Sequence, residues 1–177
     1  MAYVRSAGGM IVVVTLALAA GMLPTAEGGT APKCLGGTAT IVGTSGNDVI
    51  HGTNDKDVIV GRGGADDILG DRRRDKICGG GGQDTIAGGI GRDQVLGGRG
   101  SDKLNGGGHG DWVKGGPGDD EVRGGPIGDD LFGSSGDDNL IGFRGRDNLD
   151  GGPGTDACGG GRDRDTALHC ERTEGVP

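Results

Sequence analysis

The sequence predicts an all-β solenoid, a coil of short parallel strands with two nonapeptides to each turn. Three observations carry that prediction. Thirteen nine-residue units run without a break from Gly43 to Gly159, and every one opens on glycine and places aspartate sixth. The eighth place is Ile, Val or Leu in twelve units and Cys158 in the last. Glycine supplies 45 of the 177 residues, and only Tyr3, Trp112, Phe132 and Phe143 are aromatic. Large side chains are too few for an ordinary core, which points to a repeat array held by something more.

Each position in the unit has a physical reading. The last three residues, such as Thr85-Ile86-Ala87, suit a short strand whose middle side chain points inward. The first six are expected to form a turn, where glycine permits tight backbone approach. Two units close one coil, so a residue stacks on the one 18 places later in the chain. The inward residues then make two facing aliphatic ladders. One holds Ile50, Ile68, Ile86 and Leu104 with their continuation, the other Ile59, Ile77, Val95 and Val113. Glycine does not recur every third residue, which excludes a collagen helix.

Degenerate copies extend both ends. Residues 34–42 keep Ile41 inside but have Ala39 in place of the aspartate, and residues 160–168 keep Asp165 but bury only Ala167. A stacked array needs such atypical terminal units, because its ends have no neighbour. The expected division is a leader at 1–26, an N-terminal cap at 27–42, the roll at 43–159, and a C-terminal cap and tail at 160–177.

The leader is read as an export signal that takes no part in the fold. Arg5 supplies a positive start, Met10 to Leu23 is apolar or small apart from Thr15, and small residues follow around Ala26. The mature protein is therefore expected outside the cell or on its surface, where disulfides persist. Four cysteines allow three pairings. The favoured one joins Cys158 to Cys170 across the last degenerate copy and Cys34 to Cys78 at the other end. A cysteine metal site lacks the CxxC spacing it would want.

The sixth-position aspartates set the electrostatic problem. Stacked about 5 Å apart, neighbours repel by roughly 1 kcal/mol in water and more at lower dielectric. A hard cation with oxygen ligands is the natural counter-charge. Net charge is −8, from 26 acidic and 18 basic residues, which disfavours a nucleic-acid partner.

The units resemble the haemolysin-type (RTX) calcium-binding nonapeptide, G-G-x-G-x-D-x-U-x with U a large aliphatic residue. Residues 79–87, 88–96, 97–105 and 115–123 match every defined position. The resemblance implies a parallel β-roll with calcium between successive loops on the same edge. It also implies a chain that folds when calcium binds. The ligands would be the sixth-position aspartates with loop carbonyls. Relatives of this kind commonly carry a protease, lipase or toxin domain, for which this sequence is expected to have no room, so those activities are not carried over.

Alternation sorts the units into two edges. The edge with Asp48, Asp66, Asp84, Asp102, Asp120, Asp138 and Asp156 has glycine in fourth place throughout, and its loops carry 9 acids and 2 bases. The edge with Asp57, Asp75, Asp93, Asp111, Asp129 and Asp147 has 10 acids and 9 bases when the last degenerate copy is included. Calcium is expected to fill the first edge, about six ions or more in the chain. On the second, arginines are expected to pair with the aspartates and replace some of it.

No enzyme is predicted. His51, His109 and His169 lie far apart in the sequence, and none adjoins a recognisable nucleophile. The competing reading is an adhesion or envelope protein whose arginine-rich edge holds an anionic glycan or surface polymer. Stable membrane insertion after removal of the leader is not expected.

Overall fold

A computed structural model describes residues 32–174, together with the backbone of 3–6 and 11–12. Among the described residues there is no helix, and nearly all strands join two facing sheets of ten and eight strands. Within the repeat array every pairing is parallel and in the expected register: Ile50 pairs with Ile68, Ile68 with Ile86 and Ile86 with Leu104. On the other side Ile59 pairs with Ile77, Ile77 with Val95 and Val95 with Val113. The chain is a β-solenoid with two parallel sheets.

The eighth-position side chains form one continuous core from Ile41 to Cys158, each at most 2 % exposed. Ala167 and Cys170 pack against its C-terminal end. That row is only one side chain deep from each sheet. The sheets therefore depend on the ladders of backbone hydrogen bonds between coils.

The strands are longer than the sequence suggests. Thr85–Ile90, Gln94–Arg99 and Lys103–Gly108 each run six residues, through the last three places of one unit and the first three of the next. The cause is continued pairing past the corner: Gly89 lies opposite Gly107 and Ile90 opposite Gly108. The turn is correspondingly confined to places four to six.

Both ends are stapled by disulfides, Cys34–Cys78 and Cys158–Cys170. The first holds an antiparallel hairpin, Lys33–Cys34 with Gly37–Thr38, against the outer face of the second sheet. Cys34, Ala39 and Val60 are buried there, and the Lys76 ammonium donates to the Leu35 carbonyl at 2.8 Å. The bridges span 44 and 12 residues. Loop-closure entropy in the unfolded chain predicts that Cys34→Ser/Cys78→Ser costs about 4 kcal/mol and Cys158→Ser/Cys170→Ser about 3 kcal/mol. Urea unfolding of the two variants at fixed calcium measures both.

Most of the expected leader, residues 1–26, lies outside the described residues. The backbone of Tyr3–Ser6 nevertheless runs antiparallel to Asp48–His51 and pairs with Ile11–Val12. This stretch covers Asp48–His51, the first repeat strand of the ten-stranded sheet.

Candidate metal centre

The sixth-position aspartates close the turn and point inward. All are buried, from 0 to 5 % exposed, and Asp165 of the degenerate copy is 8 % exposed. From Asp66 onward the carboxylate of each accepts a bond from the coil before it. The Asp84 amide donates to Asp102 Oδ1 at 2.8 Å, the Asp93 amide to Asp111 Oδ1 at 2.7 Å, and the pattern recurs along both edges. Because every donor lies 18 residues before its acceptor, the aspartates form two continuous ladders.

The second oxygen of each carboxylate turns back across its own loop towards the first-position glycine. A Cβ on Gly97 would lie 2.3 Å from Asp102 Oδ2, and one on Gly115 would lie 2.1 Å from Asp120 Oδ2. Glycine in first place and aspartate in sixth are thus one structural pair, which explains why both are unvarying through the array. From Asp66 to Asp165 these Oδ2 atoms are buried with no hydrogen-bond partner.

Two aspartates are treated differently. Asp48 Oδ2 accepts from the Thr44 amide and from its hydroxyl at 3.0 Å. Asp57 Oδ2 accepts from the Thr53 amide at 2.7 Å and hydroxyl at 2.8 Å. Threonine stands in second place only in these first two units, so each ladder begins with an internal cap. At the far end Glu171 accepts from the Asp156 amide and closes the first ladder. Sequence reasoning missed all three. The threonines were detectable as the only hydroxyl-bearing second-place residues near the start; Glu171, 15 residues after Asp156, falls off the register. Removing the Thr53 hydroxyl should matter: Thr53→Val is expected to lower stability by about 1 kcal/mol, measured by urea unfolding, while Thr53→Ser stays near the parent.

Burial of uncompensated carboxylates raises their pKa. It pushes Asp66, Asp75, Asp111, Asp120 and Asp129 up to about 7. Asp102, Asp138 and Asp147 go up to about 6. Asp84, Asp93 and Asp156 move in the same direction. Desolvation is the main cause, like-charged neighbours add to it in most cases, and the bond from the preceding amide opposes it.

The two edges differ in backbone as well as charge. At fourth place on the first edge Gly64, Gly82, Gly100, Gly118 and Gly136 all have left-handed φ, and a Cβ on Gly100 would lie 1.7 Å from the Gly82 carbonyl. On the second edge that conformation is imposed on Arg73, His109 and Asp163, with φ of 75°, 84° and 90°. Such residues cost about 1 kcal/mol each in that region.

The expected pairing of arginines with the aspartate ladder is not found. The ion pairs among the described residues are Arg73–Asp55, Arg123–Glu121 and His169–Asp150, none of which includes a sixth-position aspartate. Burial is the reason: the ladder lies beneath the loops, and the guanidinium groups stay outside. Arg73 instead donates to the Asn54 carbonyl at 3.0 Å. Arg92 acts on Asp111 only through its field.

Orphaned, buried carboxylate oxygens stacked beside loop carbonyls are a donor set of hard oxygens, which suits calcium. Among the described residues no cluster of three or more His, Cys, Asp or Glu side chains is poised to hold a metal, so backbone carbonyls must complete any ligand set. The residues that would hold calcium are Asp66, Asp84, Asp102, Asp120, Asp138 and Asp156 on one edge. On the other they are Asp75, Asp93, Asp111, Asp129 and Asp147. Asp48 and Asp57 enter with their second oxygen already bonded.

No curated protein matches the chain. The family model for the RTX calcium-binding nonapeptide repeat does, in seven matches that together cover residues 35–167. With its ladders of glycine-paired aspartates in a two-sheet solenoid, the chain belongs to the RTX calcium-binding nonapeptide repeat family.

Proposed function

We propose that this protein is an exported calcium-binding roll for which calcium is the folding ligand. One observation carries the proposal: two files of buried carboxylates which, from Asp66 onward, each have an oxygen that no protein group satisfies. At neutral pH the chain alone must either protonate these groups or leave like charges stacked under the loops, and both oppose folding. Calcium supplies positive charge to the free oxygens, while the aspartates' other oxygens keep the coils in register. Proteins of this family are typically secreted, and the leader at 1–26 with two disulfides supports export here.

The first edge, with its fourth-place glycines and acidic loops, is the stronger calcium edge, with about six ions between its seven loops. The expected result at neutral pH is little β-structure in chelator and a cooperative gain on adding calcium. Circular dichroism during calcium titration, with metal analysis of the same sample, checks both points. A chain fully β-structured in chelator at neutral pH would refute the folding role, and about twelve equivalent ions would refute the inequality of the edges.

A further inference from the structure

Five of the nine cationic residues on the second edge are gathered in one place. Lys56, Arg72, Arg73, Arg74 and Arg92 line an open groove of about 990 Å³ with His109, and no carboxylate lines it. Five full positive charges on one groove are notable in a chain of net charge −8. Lys56, Arg74 and Arg92 hold the same place in successive coils, so their backbones are about 4.8 Å apart along the solenoid axis. The side chains of Lys56, Arg72 and Arg74 make no hydrogen bond or ion pair among the described residues, and Arg73 reaches Asp55 only at 4.0 Å with both groups exposed. These charges are available to a partner.

Two further features narrow the partner's chemistry. Ile90, 56 % exposed, lies in the same groove. Arg74 and Arg92 also line a second cleft that Trp112 enters, whose lining includes the exposed Asp130, next to Trp112 across the sheet, and the buried Asp93 and Asp111. Trp112 packs on Phe132 with ring centroids 5.7 Å apart, so two of the four aromatic residues in the chain meet beside the cationic groove. A row of cations attracts any polyanion. An indole face and an exposed aliphatic side chain add a surface for the C–H face of a sugar ring, which a bare phosphate chain cannot use.

We propose that the groove and the adjoining Trp112 face bind a linear anionic polysaccharide, its carboxylate or sulfate groups on Lys56, Arg72, Arg74 and Arg92 and a ring against Trp112. This deepens the calcium-roll reading, because the groove exists only once three successive coils have stacked. The two ideas fail separately: calcium-induced circular dichroism tests the roll, and ligand binding to a sample shown by that signal to be folded tests the groove.

Trp112 is the only tryptophan, so its fluorescence reports the site directly. The folded full-length protein is titrated with polygalacturonate, heparin, neutral dextran and inorganic polyphosphate. Saturable binding of polygalacturonate or heparin, with dextran silent, is expected; which of the two binds tighter assigns carboxylate or sulfate. By isothermal titration, Arg72→Ser/Arg74→Ser should weaken binding at least tenfold with the β-signal unchanged. Trp112→Leu should weaken polysaccharide binding several-fold and leave polyphosphate binding alone. No saturable binding of either polysaccharide overturns the proposal. So does polyphosphate binding as tightly as the polysaccharides with Trp112→Leu without effect, since the site would then be charge alone.

Discussion

Acid is expected to fold the chain in the absence of calcium. In chelator, the β-signal absent near neutral pH should appear as the pH is lowered to about 5 and be lost again as the pH returns to about 7.5. The sign follows from the direction of the shifts. In the folded chain Asp66, Asp75, Asp111, Asp120 and Asp129 titrate near 7, against 3.8 for a solvated aspartate. Between those values the folded state holds protons that the unfolded state has released, so stability falls as pH rises through the window. This is the reverse of an aspartate held by a salt bridge, which loses stability on acidification. Calcium and protons then compete for the same carboxylates. Apparent calcium affinity should rise between pH of about 5 and 7, with protons released on binding. Circular dichroism against pH in chelator, with and without calcium, is the measurement. A chain least structured at about pH 5 and most structured at about 7.5 without calcium would show that the ladders are not buried as described.

Much of this was legible in the sequence because the period is rigid. An unbroken nine-residue phase dictates which residues stack, and so it predicts the parallel register and both aliphatic ladders. The favoured disulfide pairing follows from Cys158 and Cys170 flanking the last degenerate copy, which leaves Cys34 to Cys78. The phase says nothing about rotamers. That each aspartate spends one oxygen on the amide of the preceding coil and aims the other at its own first glycine is a matter of side-chain direction. For the same reason the phase places the arginines beside the ladder without showing that burial closes it to them. Strand length was underestimated because glycine in the first three places reads as turn, whereas here it continues the pairing. The caps differ in legibility: Thr44 and Thr53 stand out as second-place hydroxyls at the start of the array, whereas Glu171 does its work from a chain segment that has left the repeat.

The pairing of first glycine with sixth aspartate makes a sharper claim than glycine richness alone. Gly97→Ala places a Cβ 2.3 Å from Asp102 Oδ2 and 2.9 Å from the Gly115 carbonyl. The carbonyl belongs to the next coil and cannot withdraw cheaply, so the carboxylate must move. Moving it breaks the 2.8 Å bond from the Asp84 amide and displaces a calcium-ligand candidate. Overpacking costs about 1–3 kcal/mol, and the stranded amide about 1–3 kcal/mol more. A loss of about 3–5 kcal/mol is expected, with a higher calcium midpoint. Gly81→Ala, two coil places away from any such pair, meets nothing within 4 Å and has no left-handed φ. It should be neutral or stabilise by up to about 1 kcal/mol, since alanine restricts the unfolded chain. The decisive variant combines Gly97→Ala with Asp102→Ala. With the carboxylate gone, the first mutation has less to displace, so the double variant should cost clearly less than the two singles added together. Urea unfolding of the four proteins at saturating calcium measures that coupling. Additive costs would mean that the glycine is needed for the turn alone; non-additive ones would show that the unvarying glycine exists to make room for the unvarying aspartate.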